Sequence, residues 1–243
     1  MTSELIIIVV AFLIAGWVQG IFGFGFAIAT TLLLVNTVDF TTLVFLNLCM
    51  SVVTSLIAML SGKNLKTINK NTLLKLIISS SAGLILGMAI ITYVDAAILK
   101  KITLVVILLA SIASLTKSQA LFAHPYMGWI GGFFSGVLTP STGINGPLVA
   151  LHLNAAFTDK QEIRNTMLAY LFFIMTFGVI SMSIKANLSS ETTNMLVKVI
   201  LPSILGYVIG MFSFRLLSDV IFKRTVNAFL ICSSFASLVY LII

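Results

Sequence analysis

The chain has 243 residues, of which 59% are hydrophobic and only 9% charged, with a mean hydropathy of +1.16. A soluble domain carries about 25% charged residues, so this composition excludes a water-exposed surface and defines an all-α polytopic membrane protein. The net charge of +7 does not point to nucleic acid, because the basic residues form no aromatic-interleaved patch; they lie in short loops such as that of Lys63, Lys66 and Lys70, where positive charge sets membrane orientation.

The N-terminal Met1-Thr2-Ser3-Glu4 lacks the basic region of a signal peptide, so the apolar run that follows reads as part of the mature protein. That run, Leu5–Val35, holds the glycine-punctuated stretch from Gly16 and Gly20 to Gly23-Phe24-Gly25. Ordinary spanning helices are predicted next over Thr42–Leu60, Leu73–Tyr93 and Ala97–Leu115, each near the ~20 residues a bilayer needs. A second glycine-rich run, Tyr126–Phe157, holds Gly132, Gly136, Thr139-Pro140-Ser141-Thr142 and Gly143-Ile144-Asn145-Gly146-Pro147. Three more helices are predicted over Thr166–Ile184, Leu196–Leu216 and Ile221–Ile243. The two glycine-rich runs are too long for one crossing, since thirty-odd helical residues would reach ~46 Å against a ~30 Å hydrocarbon core. They are too short for two. A helical hairpin broken at depth fits the length, with the glycines and Pro140 as interruptions; one long tilted helix is the alternative.

The order of elements occurs twice, giving a single membrane domain over 1–243 with internal repeats at 1–118 and 124–243. Gly83, Gly87, Met88, Ile98 and Lys100 match Gly206, Gly210, Met211, Ile221 and Lys223 at one constant offset. Duplication explains this better than shared packing needs alone. If each glycine-rich run returns to its own side, the halves invert and both termini lie outside. The cytoplasmic basic residues are then Lys63, Lys66, Lys70, Lys75, Lys117, Lys160, Arg164, Arg215, Lys223 and Arg224, against Lys100, Lys101, Lys185 and Lys198 outside. The positive-inside rule favours that arrangement, about eight transmembrane elements in two inverted repeats. The Lys100-Lys101 pair is the main evidence against it.

A hairpin broken at depth presents backbone N–H groups that only protein, a water-filled cavity or a ligand can satisfy. Where the return helices begin, near Gly25 and Gly146, helix dipoles add positive potential, and two such ends would make an anion site without a buried lysine. The candidate substrate-binding residues are Gln19, Gly23, Phe24 and Gly25 on one wall. On the other are Thr139, Ser141, Thr142, Gly143, Asn145 and Gly146. Gly16, Gly20, Gly132 and Gly136 read rather as close-packing positions. No acidic residue falls mid-span, which argues against a cation pump or proton relay. His152 reads as a structural histidine, and Asn47 and Asn227 as interhelical hydrogen-bond partners. Cys49 and Cys232 lie in apolar spans and there are only two histidines, so no disulfide framework, metal site or cofactor is expected. No G-x-S-x-G elbow or intramembrane aspartate pair suggests an enzyme.

The Gly16–Gly25 stretch, the Gly143-Ile144-Asn145-Gly146-Pro147 turn and the Arg164-Asn165-Thr166 entry to the next helix resemble the TauE/SafE family of sulfite exporter-like transmembrane proteins. The pattern from Pro202 through Gly206 and Gly210 to Lys223-Arg224 resembles it too. The resemblance implies a bacterial-type inner-membrane permease for small sulfur oxyanions or organosulfonates such as sulfite or sulfoacetate. One departure is Phe24-Gly25-Phe26, where the family often has consecutive glycines; the second element carries Thr139-Pro140-Ser141-Thr142, so the two halves need not contribute equally. The expectation is a secondary transporter of small anions working by alternating access, with the lipid bilayer and the substrate as partners and a homo-oligomer left open. An anion channel on the same scaffold, or an assembly protein without substrate, is the alternative.

Overall fold

A computed structural model describes residues 2–60, 65–115, 119–185 and 190–242. Lys63 and Lys117 of the charge count, and Ile243 at the predicted end of the last helix, lie outside the described residues. Eleven α-helices run through them: α1 Thr2–Phe22, α2 Phe26–Leu34, α3 Phe40–Leu60, α4 Lys70–Tyr93, α5 Ala96–Leu115, α6 Gln119–Ala123, α7 Pro125–Thr142, α8 Gly146–Ala156, α9 Lys160–Lys185, α10 Ser190–Leu216 and α11 Asp219–Ile242. Five segments are long and apolar enough to cross a membrane: Glu4–Phe22, Phe40–Leu60, Lys70–Ala89, Lys160–Ile184 and Ser190–Leu216. With α2 at 9 residues and α8 at 11, each reaches only about 14–17 Å, half a bilayer core.

Hydrophobic residues face outward here, as lipid requires. On α10, Val197, Leu201, Leu205 and Ile209 form an exposed stripe at four-residue spacing, while Ser203, Gly206 and Gly210 are buried. Small residues face inward because lipid-immersed helices gain no hydrophobic drive from meeting and must pack backbone to backbone.

Two such interfaces organise the fold, α1 against α10 and α4 against α7. They are built alike. Gly206 lies on the backbone of Leu13 and Trp17, and Gly210 on that of Trp17 and Gly20; correspondingly Gly83 lies on Phe133 and Val137, and Gly87 on Val137 and Pro140. Gly16 meets the Ser203 carbonyl and Gly136 the Ser80 carbonyl. The remaining long helices pair as α3 with α9 and α5 with α11. Hydrogen bonds pin the interfaces: Trp17 Nε1 donates to Ser213 Oγ at 3.2 Å, and Ser80 Oγ donates to the Gly132 carbonyl at 2.8 Å.

A Cβ at Gly83 or Gly206 would overlap a helix backbone, which cannot rotate away as a side chain can. Gly206→Leu is therefore expected to destabilise by about 3 kcal/mol, the upper range for overpacking. Thermal unfolding in detergent measures this, with lipid-facing Leu205→Ala as the mild control.

Helix α10 begins at Ser190, six residues before the expected Leu196, and two further differences from the sequence expectation bear on the site. Pro140 does not break its segment: it lies inside α7, which continues to Thr142. The loss of one helical hydrogen bond is tolerated two residues from the helix end. Helix α9 begins at Lys160 rather than Thr166 because Asp159 caps it, its carboxylate accepting from the Gln161 N–H at 2.8 Å and its carbonyl from the Ile163 N–H at 3.1 Å. That start carries Arg164 into the protein interior.

Candidate functional site

The chain leaves helical geometry at corresponding places in the two glycine-rich runs. Helix α1 ends when the Gly23 N–H bonds to the Gln19 carbonyl at 2.8 Å, and α7 when the Gly143 N–H bonds to the Thr139 carbonyl at 3.0 Å. Both glycines are left-handed, with φ of +79° and +67°, the conformation that ends helices and that a Cβ disfavours. The chain re-enters helix at once. Gly25, at φ +94°, caps α2, and Asn145 caps α8, where Pro147 occupies the first turn and needs no N–H bond there.

These two breaks meet. A Cβ on Gly146 would stand 3.0 Å from the Phe24 ring, so Phe24 of the first break lies directly on the second. Between them is a buried cavity lined by Phe24, Gly25 and the first turn of α2, by Gly143 to Gly146, by Ser51 of α3, and by Leu171 and Met175 of α9. It leaves a water-sized sphere about 10 Å³ to move in, room for one water molecule. Any ligand of several heavy atoms therefore requires the breaks to separate.

Helix ends and unpartnered amides set the cavity's electrostatics. The first turns of α2 and α8 both reach it, and the leading N–H groups of a helix have no partner within the helix while carrying about half a positive charge together. Asn145 is 2% exposed and its Nδ2 has no hydrogen-bond partner. Asn47 of α3 stands 3.6 Å from the Cβ position of Gly143; its Oδ1 accepts from Thr30 Oγ1 at 2.6 Å, and its Nδ2 is likewise unpartnered. The cavity lining includes no carboxylate.

Of the residues singled out from sequence, Phe24, Gly25, Gly143, Asn145 and Gly146 line the cavity. Gly23 instead packs on Arg164. Gln19 lies fully buried against α3, its Nε2 donating to Ser55 Oγ at 3.3 Å and its Oε1 unpartnered. The hydroxyls expected to bind substrate bond within α7: Thr139 donates to the Ser135 carbonyl at 2.7 Å, Ser141 to Leu138 at 3.1 Å and Thr142 to Leu138 at 2.9 Å. Thr142 Oγ1 also accepts from the Ile144 N–H at 3.1 Å, and Ser135 Oγ donates to the Asn145 carbonyl at 2.6 Å. These bonds hold the second break in shape. His152 donates through Nδ1 to the Phe122 carbonyl at 2.7 Å and ties α8 to α6, while Asn154 donates to Asn227 at 3.3 Å.

Sequence reading took Asn47 as an interhelical hydrogen-bond partner, as its bond with Thr30 of α2 bears out, but overlooked the α3 face to which it belongs. Asn47, Ser51 and Ser55 recur every four residues and are at most 1% exposed, a polar stripe joining the Gly143 break to Gln19. That periodicity was the available signal. Arg164 was also overlooked as an interior residue.

Long apolar helices, an inward polar stripe and a buried cavity between paired helix breaks define a multi-pass membrane protein. Over residues 8–237 the chain matches the family model described as Sulfite exporter TauE/SafE, and it belongs to that family. No curated protein and no solved structure matches it significantly.

Proposed function

We propose that this protein is a secondary transporter of small anions, sulfite or an organosulfonate, that acts by alternating access in the inner membrane. One observation carries the reading: two helix N-termini meet at a buried cavity whose lining includes Asn145, with its Nδ2 unpartnered, and no carboxylate. Such a site favours an anion through fixed dipoles and N–H donors. Discontinuous helices at the centre of a transporter serve this purpose for anionic substrate groups.

In this mechanism the two glycine-rich elements act as broken hairpins, and Phe24 is the apolar gate between them. Entry of an anion displaces the Phe24 ring and brings its oxygens to the first turns of α2 and α8 and to Asn145. Release on the other side follows when one half rocks against the other. Pairing of like elements, with α1 on α10 matched by α7 on α4, supports two duplicated halves. The inverted sense rests on the basic-residue count.

Counterflow separates this carrier from a channel on the same scaffold. Proteoliposomes loaded with unlabelled sulfite are expected to take up labelled sulfite faster than empty ones, with a saturable rate. Flux that is linear in concentration and indifferent to internal sulfite would mean a channel.

A further inference from the structure

Arg164 is 2% exposed, and it is the one charged side chain among the buried residues described. Its hydrogen-bond partners are neutral. Nε donates to the Gly20 carbonyl at 2.9 Å, at the end of α1, and Nη2 to the Tyr207 hydroxyl of α10 at 3.3 Å. The guanidinium carbon stands 4.7 Å from the centre of the Phe214 ring. Lys160, one helical turn earlier, lies 4.7 Å over the same ring, and its Nζ donates to the Phe214 carbonyl at 3.2 Å and to the Leu217 carbonyl. Of the neighbouring carboxylates, Asp219 accepts from the Lys160 N–H at 3.1 Å, Asp159 from the Gln161 N–H at 2.8 Å and Glu162 from Asn69 Nδ2 at 2.9 Å.

Keeping a cation in the interior against neutral acceptors costs several kcal/mol. A neutral donor would cap α1 without that cost. Position explains the charge. Helix α9 runs from Arg164 past Met167, whose Cε lies 3.3 Å from the Gly146 Cβ position, to Leu171 and Met175 in the cavity wall. Arg164 is thus on the cavity side of α9, about 10 Å along the axis from Leu171. The first break also rests on it, with the Gly23 Cβ position 3.1 Å from Arg164 Cγ.

We propose that Lys160 and Arg164 form a two-step cationic relay along which the anion passes between the α9 N-terminal face and the cavity. This rests on the anion-transport reading above. Arriving at Arg164, the anion takes the place of the Gly20 carbonyl and Tyr207 hydroxyl, neutral acceptors weaker than a charged oxygen. A guanidinium can grip two oxyanion oxygens at once, which an ammonium cannot.

The test is labelled sulfite uptake into proteoliposomes of defined orientation by wild type, Lys160→Gln, Arg164→Lys and Arg164→Gln, with melting temperature measured for each. Lys160→Gln should raise the half-saturating sulfite concentration roughly 3–10-fold from the α9 N-terminal face alone, an effect that added inert salt reproduces in wild type by screening. Arg164→Lys, which keeps the charge, should stay folded with half-saturation raised roughly 10-fold or more. Arg164→Gln should lose transport. Wild-type half-saturation from both faces in Lys160→Gln and Arg164→Lys would overturn the relay and leave Arg164 a structural cap. Absence of saturable flux in the wild type would instead overturn the transport reading itself.

Discussion

Replacing Asn145 with leucine is expected to raise the half-saturating anion concentration roughly 10–100-fold while the protein stays folded. The magnitude is that of one hydrogen bond to a charged group, about 1.5–3 kcal/mol. Stability should hold because the Asn145 side chain makes no cap hydrogen bond and its Nδ2 has no partner to lose. The break is held by other bonds, from Ser135 Oγ to the Asn145 carbonyl and from the Ile144 N–H to Thr142. Leucine also removes a buried amide group left without a partner, which is itself costly. A purified variant whose melting temperature matches or exceeds wild type, yet whose sulfite half-saturation is far higher, would fit. Unchanged half-saturation would remove Asn145 from the site.

The second large effect separates two glycines that look equivalent in sequence. Gly25→Leu is expected to fail at folding, and Gly146→Leu at transport. Gly25 has φ +94°, and its Cβ would stand 2.8 Å from the Phe229 ring and 2.9 Å from Val18. Left-handed backbone costs a substituted residue about 1–2 kcal/mol and overpacking another 1–3, a large part of total stability. Gly146 begins α8, and a Cβ there meets the Phe24 ring at 3.0 Å and the Met167 methyl at 3.3 Å. The Phe24 ring and the Met167 methyl can turn aside, and the Phe24 Cβ at 3.1 Å must give by a few tenths of an ångström, so the variant folds with a melting temperature below wild type. The added leucine, however, fills the one-water cavity and pins the Phe24 gate. Expression and melting temperature beside uptake distinguish the pair: Gly25→Leu poorly folded, Gly146→Leu folded and silent. A transporting Gly146→Leu would mean that the anion passes elsewhere.

Much of this molecule was legible from composition, because lipid imposes length and apolarity on each helix. The predicted helices reappear as helices, Thr42–Leu60 beside the observed Phe40–Leu60, and five segments are long and apolar enough to cross a membrane. The close-packing role of Gly16, Gly20, Gly132 and Gly136 was legible too, since small residues four apart on apolar helices have few other uses. The hydroxyls of Thr139, Ser141 and Thr142 were not. In an unbroken helix each reaches back to a carbonyl of the preceding turn, and counting Pro140 among the interruptions left these three hydroxyls free to bind substrate when α7 in fact continues to Thr142. Arg164 was hidden because its partners, Gly20 and Tyr207, lie far away in the chain. A basic residue before an apolar run reads as a loop until those partners are seen. Ser51 was hidden by its surroundings, a small polar residue in an apolar helix whose meaning comes from facing the two breaks.

The most direct test of an anion site between the helix breaks is labelled sulfite uptake by wild type and Asn145→Leu in parallel. Sulfoacetate, sulfate, acetate and chloride are the competitors. The site predicts saturable wild-type uptake, inhibition by one class of these anions, and half-saturation at least about tenfold higher in the variant. Uptake that is saturable but identical in the two proteins would contradict it.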